Sequence, residues 1–471
     1  MWSLCKIAFS VQVALGTVSA ALIPSVKDQL FLSPPTQFTK VQQNDSLCDA
    51  RSRQWTGKVP VTNGNSLFYW YFESQRYPER APTILYLTGG PAEASAQPML
   101  TGVGPCLINK HGNDTTFNPF SWTRNYNVIF VDEVAGSGFS KTPEGVDFQP
   151  TTAHEVASDV KVFLHKFSTE IFPELGNREF HVIGESWGGF LAPVVTAFLL
   201  DDNLGGPHVP VDVKSTVMIS PFIDMGFSAP SYYDTLCAGE EVYLNVTECA
   251  SLGAAVPQCE TEVLQCRLAE TKESCDKAME ACGPIMAAWF PPKHNLVNVK
   301  KPCESFPTCS PLAGAVEKYM NNPAIQRVLG LREKDPIELI GVDMSINHQF
   351  ADTLMRSNLT RYTYLLDETR SRILIVSGRY DPDTPLIGTE RAANAFKWFG
   401  QAAFRAAPHK DWFYRLEGDS SLTKGGYLKG YDKLWFAEID ESGHTVNADA
   451  PEAALYLVDQ WIKGGLSVIS A

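Results

Sequence analysis

One serine stands between glycines in the stretch HVIGESWGG, where Gly184 and Gly188 flank Ser186. An apolar run over residues 180–184 predicts a buried strand before it, and a helix-compatible segment follows. Glycines suit a sharp turn from strand to helix, because a side chain at either flank would collide with a neighbouring element. The turn lifts the hydroxyl above the sheet, and the helix N-terminus points at the charge developing on an attacked carbonyl. We therefore predict that Ser186 is the nucleophile of an acyl-transfer reaction.

A nucleophilic serine needs a base, and in this kind of fold the acid and then the histidine follow it along the chain. His444 comes directly after a predicted strand over residues 434–439 and before the last predicted helix. That place would hold the imidazole over the carboxyl edge of a parallel sheet. No such strand precedes His294, His348 or His409, which we interpret as surface or loop residues. We predict that His444 is the base.

Two carboxylates compete for the third role. Asp381 follows a buried strand at 373–377 and a turn that contains glycine, which is where the acid of such a triad is expected. It would hold the His444 tautomer and stabilise the imidazolium. Asp383 stands two residues later, and either aspartate could instead cap a helix. The end of the strand favours Asp381 as the acid.

An earlier strand, at 82–88, ends in Gly89, Gly90 and Pro91. Backbone amides can approach a tetrahedral oxyanion closely only where side chains are absent, so this turn is a candidate oxyanion hole. An ordinary turn is the alternative interpretation, because such glycines and prolines are common in loops.

Seven apolar, β-branched runs are the elements that would position these side chains. Helical patterns separate several of them, including a stripe from Val156 to Phe167, a helix after the nucleophile and a final helix from Pro451 to about Lys463. This alternation predicts an α/β protein of the α/β-hydrolase fold, with a mostly parallel central sheet flanked by helices. We expect the first two strands to form an antiparallel start. The strands are predicted at 66–73, 82–88, 126–132, 180–184, 215–220, 373–377 and 434–439.

The strand–helix rhythm is interrupted over residues 227–312, where eight of the eleven cysteines lie. We interpret this region as an inserted cap that disulfides hold together and that sits over the sheet. The core would then comprise two parts, residues 21–226 and 313–471.

Residues 1–20 have the pattern of a signal peptide, with Lys6, an apolar run over 7–18 and a small residue, Ala20, before the cleavage point. The run is shorter than the roughly 20 residues that a membrane span needs. Removing Cys5 with this segment leaves ten cysteines, an even number that suits an oxidising compartment. The sequence therefore predicts secretion, with a vacuolar location as the alternative.

Four Asn-x-Ser/Thr sequences predict glycosylation at Asn44, Asn113, Asn245 and Asn358. The formal net charge is −14 and no run of Lys and Arg occurs. Both observations argue against nucleic acid or an anionic membrane as a partner.

Together these stretches resemble the serine carboxypeptidase family, in its secreted fungal form, over nearly all of the chain after residue 20. The family reads W-L-N-G-G-P-G-C-S-S, E-x-G-P, G-E-S-Y-[AG]-G, G-x-x-D after a strand, and G-H-x-V-P. The matching stretches here are YLTGGPAEAS, GVGPC, GESWGG, SGRYD and SGHTVN, and NVIFVDEVAGSGFS is similar to a further family motif.

The resemblance implies a peptide or small acyl substrate and an acyl-enzyme on Ser186, without any metal or organic cofactor. It also implies that the amides of Gly90 and Trp187 form the oxyanion hole. It further implies two nested disulfides and three others: Cys259–Cys282, Cys266–Cys275, Cys237–Cys249, Cys303–Cys309 and Cys48–Cys106.

The resemblance is weakest where the family holds the C-terminal carboxylate of a peptide. The family's Trp, Asn and first Glu are replaced by Tyr86, Thr88 and Gly102, and only Glu185, with Gly89 of the turn, is kept. Lost donors are costly to a buried carboxylate, so we expect weak recognition of a free C-terminus. Release of C-terminal residues is the main interpretation. A carboxypeptidase-like acyltransferase or esterase is the alternative, and an inactive secreted binding protein is a third possibility that an intact triad opposes.

Overall fold

The computed structural model describes residues 37–466, apart from 144–148, 240, 288–294, 305–308, 311, 332–336 and 416–420. The predicted signal peptide at 1–20, with Cys5, and His294 lie outside the described residues, as do parts of the predicted cap.

Thirteen strands occur in the described part of the chain, and the seven expected from the sequence are among them. The strands are β1 Val41–Gln43, β2 Gln54–Pro60, β3 Ser66–Phe72, β4 Thr83–Leu87, β5 Cys106–Ile108, β6 Thr115–Phe117, β7 Asn127–Val131, β8 Glu179–Glu185, β9 Asp212–Ile219, β10 Arg372–Gly378, β11 Lys410–Tyr414, β12 Thr423–Tyr431 and β13 Leu434–Ile439.

Eleven of these strands form one sheet in the order β1-β2-β3-β7-β4-β8-β9-β10-β13-β12-β11, and β5 pairs with β6 separately. The six strands from β7 to β13 in the middle of this order are parallel. The antiparallel start is not the expected one, because β3 does not pair with β4 and β7 lies between them. The antiparallel pairs at this end of the sheet are instead β1–β2, β2–β3 and β3–β7. The polar sequence of β2, QWTGKVP, gave no apolar run from which to predict it.

Fifteen α-helices occur in the same described residues. They are α1 Ala96–Pro98, α2 Ala153–Lys166, α3 Trp187–Leu200, α4 Met225–Leu236, α5 Val246–Ala269, α6 Lys272–Ala287, α7 Ala313–Met320, α8 Pro323–Val328, α9 Met344–Asn347, α10 Ala351–Leu354, α11 Leu359–Thr363, α12 Leu386–Ala395, α13 Gln401–Ala406, α14 Val446–Asp449 and α15 Pro451–Ile462. None of the described helices is both long enough and apolar enough to cross a bilayer.

The sheet is buried on both faces. In β4, Ile84 and Tyr86 belong to one apolar cluster and Leu85 and Leu87 to another, as the two-residue period of a strand requires. Helix α3, which follows the serine, is buried along almost its whole length. The strand ends on which the candidate site depends are therefore held rigidly by packing from both sides.

The region predicted as a cap contains α4, α5 and α6. Helices α5 and α6 are joined by two nested disulfides, Cys259–Cys282 and Cys266–Cys275. The cysteines are seven residues apart on each helix, so both sulfurs of one helix face the other. The structure also contains the other three pairs that the resemblance implies. The cap boundaries at 227 and 312 remain a prediction. In the described residues, helices rather than strands continue beyond residue 312 as far as β10.

Three of the four predicted glycosylation sites, Asn44, Asn113 and Asn245, are exposed. Asn358 differs, because its side chain is buried and its Nδ2 donates a hydrogen bond to the carbonyl oxygen of Phe190 (3.2 Å). That nitrogen would carry the glycan, so a glycan at Asn358 would have to break this hydrogen bond, and glycosylation at the other three sites remains a prediction.

Candidate active site

Ser186 occupies the turn between β8 and α3 with φ 58° and ψ −121°, a strained conformation for a residue that carries a side chain. The neighbouring glycines are required by close backbone contacts. A Cβ on Gly188 would lie 2.5 Å from the carbonyl oxygens of Leu87 and Thr88, and one on Gly184 would collide with the carbonyl of Gly188. The strained turn therefore depends on both glycines, and it presents the hydroxyl at the carboxyl end of β8.

His444 and Asp381 meet above two paired strands. Asp381 follows β10 and His444 follows β13, and these strands are parallel neighbours. His444 Nδ1 lies 3.0 Å from Asp381 Oδ2. Asp381 is buried and also accepts hydrogen bonds from the Thr384 hydroxyl (2.7 Å) and from the amides of Asp383 and Thr384 (2.8 and 2.9 Å). These bonds hold the carboxylate in a single orientation toward the imidazole.

The charge state of His444 is set by two opposing influences. Burial alone would lower its pKa, but the carboxylates of Asp381 and Asp383 outweigh burial and raise the pKa to about 10. Both carboxylates therefore favour the imidazolium form, which the ring adopts once it has accepted the proton of an attacking serine.

Asp383 does not take the place of Asp381 but contacts the opposite side of the ring. Its Oδ2 lies 3.3 Å from His444 Nε2, and its side chain is about half exposed, at 52%. Its main-chain oxygen accepts a hydrogen bond from the hydroxyl of Tyr232 in α4 (3.0 Å). No hydrogen bond joins Ser186 to His444 in the described residues, although both side chains line one cavity. Nε2 is the nitrogen that must reach the serine, so Asp383 competes with Ser186 for it.

Part of the predicted cap supports the histidine loop. The amide of His444 donates to the carbonyl oxygen of Val297 (2.6 Å), and Asn298 Nδ2 donates to Asp449 Oδ2 (2.8 Å). The same carboxylate oxygen accepts the amide of Gly443 (2.8 Å). The sequence of residues 295–299 has no helical or strand periodicity, so this support of His444 could not be predicted from it.

The glycine turn after β4 lies against the nucleophile. A Cβ on Gly89 would be 2.8 Å from Ser186 Cβ and 3.2 Å from Ser186 Oγ, and Gly90 has φ +101°. Trp187 is the first residue of α3, so its amide belongs to the N-terminus of that helix. The turn that contains Gly90 and the N-terminus of α3 therefore both adjoin Ser186, and the role of the Gly90 and Trp187 amides as an oxyanion hole remains a prediction.

Glu185 is held in a buried network. The hydroxyl of Tyr86 donates a hydrogen bond to Glu185 Oε2, and Asn447 Nδ2 donates to the Tyr86 oxygen (3.1 Å). Burial raises the pKa of Glu185 above its usual value. Glu185 lines the cavity beside Ser186, and its raised pKa favours the carboxylic acid form.

Tyr86 and Thr88, which the resemblance places at the carboxylate site, are both fully buried. Neither side chain is among the described residues that line the cavity. The Thr88 hydroxyl lies 3.1 Å from Glu133 Oε1 and 2.9 Å from the main-chain oxygen of Glu93. Tyr86 and Thr88 can therefore influence a ligand in the cavity only through the residues that they contact.

Glu93 is a cavity residue that sequence reasoning missed. Its Oε2 accepts a hydrogen bond from the amide of Gly89 (3.1 Å). Burial and the charge of Glu185 raise the pKa of Glu93 to about 7. Its only signal in the sequence was a departure within the motif YLTGGPAEAS, where the family has a cysteine at the position of Glu93.

Gly102 leaves no empty space where the family has a glutamate. A Cβ at this position would lie 2.8 Å from the main-chain carbon and oxygen of Asn447 in α14. The backbone of α14 therefore occupies the volume that a longer side chain at position 102 would need.

One cavity of about 420 Å³ is lined by Ser186, His444, Glu185, Glu93 and Gly102, among others. A family model described as serine carboxypeptidase matches residues 45–464 of the chain. The chain belongs to the serine carboxypeptidase family. Among its relatives in this family, carboxypeptidase Y homolog A from Sclerotinia sclerotiorum is 29% identical over 417 residues, which cover 87% of this chain and 73% of the relative. Carboxypeptidase Y from Candida albicans is 28% identical over 416 residues, covering 88% and 73%.

The chain also has the fold of a solved carboxypeptidase structure. The prohormone-processing carboxypeptidase Kex1(delta)p from Saccharomyces cerevisiae aligns with a TM-score of 0.75 and 19% identity, over 90% of this chain and 94% of that one. The α/β-hydrolase fold predicted from the sequence is thus confirmed.

Proposed function

We propose that this serine carboxypeptidase releases C-terminal residues from peptides through an acyl-enzyme on Ser186. The observation that carries the proposal is the pairing of His444 Nδ1 with buried Asp381, 3.0 Å apart, in the cavity that Ser186 lines from its strained turn. Acyl transfer requires an oriented base, a hydroxyl that a substrate can reach and backbone amides beside it.

In the proposed reaction, Ser186 Oγ attacks the carbonyl carbon of the scissile peptide bond and His444 Nε2 takes its proton. The amides of Gly90 and Trp187 stabilise the oxyanion. The C–N bond then breaks as His444 returns the proton to the leaving amine. Water attacks the acyl-enzyme by the reverse path. Ser186 must replace Asp383 as the partner of Nε2 in the reactive arrangement.

The released residue has a free carboxylate, which the acid-rich side of the cavity must accept. We propose that the Glu185 carboxylic acid and the Gly89 amide, once the amide is released from Glu93, receive it, with Tyr86 and Thr88 positioning those groups. Glu93 offers a second carboxylic acid close to the Gly89 amide and partly replaces the one missing at position 102. A protonated carboxyl group can donate a hydrogen bond to a carboxylate, whereas an ionised one repels it.

Export of the protein is supported by the five disulfides, since such bonds persist in oxidising compartments. We propose that the chain enters the secretory pathway through residues 1–20 and is secreted, with the vacuole as the alternative destination. Three exposed sequons, at Asn44, Asn113 and Asn245, fit that route.

Mass spectrometry of peptides incubated with the purified protein tests the activity. We expect stepwise shortening from a free C-terminus, and slower release when the same peptide ends in an amide. Ser186→Ala should remove turnover, by roughly 10⁶ in kcat, and should remove labelling by a fluorophosphonate. Transfer of the acyl group to an added alcohol or amine in preference to water would favour the acyltransferase. Absence of both labelling and turnover in the natural protein would favour an inactive binding protein.

A further inference from the structure

The cavity beside Ser186 is lined by carboxylates from four separate segments of the chain: Glu93, Glu185, Glu317 and Asp383. No Lys or Arg is among the described residues that line it. Asp383 forms an ion pair with His444. Among the described residues, the other three carboxyl groups form no ion pair. In the proposed function Glu93 and Glu185 act as neutral acids toward the substrate carboxylate, and Asp383 contacts His444. Glu317 is therefore the acidic group of the cavity that remains to attract a cationic ligand.

Glu317, in α7, lines the cavity beside Ser186. Its Oε1 accepts a hydrogen bond from the amide of Gly341 (2.6 Å). A Cβ on Gly341 would be 2.7 Å from Glu317 Oε1 and 2.8 Å from Gln97 Nε2, so these two side chains meet at Gly341. Gln97 belongs to the helical segment that leads to Gly102, next to the proposed carboxylate site. Through its neighbour Gln97, Glu317 therefore lies next to the proposed carboxylate site within the same cavity.

An unpaired acceptor in the same cavity points to a ligand with N–H groups. Asn447 is 4% exposed and lines the cavity. Its Nδ2 donates to Tyr86, while its Oδ1 has no hydrogen-bond partner in the described residues. Buried acceptors are seldom left unpaired, so Oδ1 is suited to a donor that the substrate brings.

We propose that this carboxypeptidase prefers peptides whose released C-terminal residue is Lys or Arg, and that Glu317 is the residue that determines the preference. The inference rests on the proposed function, because it concerns the residue that the reaction releases. An ammonium or guanidinium group forms a charge-assisted hydrogen bond with the carboxylate, and a neutral side chain of similar length does not.

The test compares kcat/KM for blocked dipeptides that end in Arg, Lys, Met or Leu. We expect release of Arg and Lys to be about 10- to 100-fold faster than release of Met, which has a similar length and no charge. Glu317→Gln keeps the oxygen that accepts the Gly341 amide and removes only the charge. It should abolish most of this preference, measured as the ratio of kcat/KM for Arg to kcat/KM for Met, and fluorophosphonate labelling of Ser186 checks that the catalytic residues are still assembled. Glu317→Lys should shift the preference toward C-terminal Asp and Glu.

Glu273→Gln is the matched control, because Glu273 is 81% exposed on α6 and pairs with Lys277. It should leave the preference unchanged. Equal or faster release of Met and Leu by the natural enzyme would overturn the inference and leave the proposed function intact. An unchanged preference in Glu317→Gln would also overturn it. If no C-terminal residue is released from any peptide while Ser186 is still labelled, the proposed function fails and the inference with it.

Discussion

The two sides of the cavity are built from different kinds of structure. On the catalytic side, the serine, the histidine and the aspartate follow directly from the ends of β8, β13 and β10, which belong to the parallel centre of the sheet. On the recognition side, Glu93 comes from a turn, Glu317 from α7 and Asn447 from α14. The first set depends on one rigid scaffold, whereas the second depends on how several short segments pack together.

This difference explains why one side matches the family motifs and the other departs from them. A strand end in a buried sheet leaves few alternatives for a catalytic group, because a shift of about 1 Å can cost about 100-fold in rate. A carboxylate can approach a binding site from any nearby segment. Glu93 illustrates this freedom, because it brings a carboxyl group to the Gly89 amide, whereas Gly102 has lost one.

The catalytic side can be tested at its two aspartates. Asp381→Asn should reduce kcat by roughly 10⁴, because the amide cannot hold the required tautomer of His444. Asp383→Asn should keep most of the activity, since Asp383 contacts Nε2 and does not orient the ring through Nδ1. Steady-state kinetics on one blocked dipeptide would measure both variants, with circular dichroism as the control for folding. The opposite ranking would place the orienting acid two residues further along the chain.

The catalytic side was largely predictable from the sequence. Seven strands, the glycine-flanked serine and the residues after the last two parallel strands each have a local signal, because buried strands and tight turns restrict the amino acids they accept. The geometry at Ser186, Asp381 and His444 is consistent with the roles assigned to them, which remain proposals. The fold followed from the alternation of strands and helices.

The recognition side was not predictable in the same way. Gly102 indicated a missing acid, but nothing near it in the sequence showed that the α14 backbone fills the space. Glu317 is 131 residues from Ser186 in the chain, on an ordinary amphipathic helix. Contacts between distant segments decide such a site, and they leave no periodic pattern in the sequence. The strand β2 and the support of His444 by Val297 were missed for the same reason.

Restoring the family residue at position 102 would test how firmly the recognition side is packed. Gly102→Glu should lower the free energy of unfolding by about 1–3 kcal/mol or more, because its Cβ meets the backbone of Asn447. It should not increase release of C-terminal residues. Gly314→Ala is the control, since a Cβ there meets no atom within 4 Å. Denaturant unfolding measures both variants, and a stable Gly102→Glu enzyme with higher activity would show that α14 can move aside.

The smallest expected effect is a pH dependence confined to the recognition side. Burial and the nearby charge of Glu185 raise the pKa of Glu93 to about 7, against the opposing influence of the Gly89 amide and His444. Below that pH, Glu93 is protonated and can donate to the carboxylate of a substrate. Above it, the ionised group repels that carboxylate. The KM for a peptide with a free C-terminus should therefore rise about tenfold between pH 6 and pH 8, while the KM of the corresponding C-terminal amide stays constant.

Glu93→Gln separates this effect from the titration of the catalytic histidine, because glutamine is neutral throughout and donates at every pH. Its KM for the free peptide should be nearly constant over the same range. Glu185→Gln should retain a rise but shift it to lower pH, because the charge of Glu185 no longer raises the pKa of Glu93. The stability of the folded protein supplies a second measurement. A carboxyl group whose pKa is raised in the folded state binds a proton more tightly there, so its contribution is present below about pH 4.5 and is lost as the pH rises through about 7. The free energy of unfolding should fall over that window in the natural protein and less steeply in Glu93→Gln. Equal slopes in the two proteins, together with an unchanged KM profile, would mean that Glu93 stays ionised and that Glu185 receives the carboxylate without it.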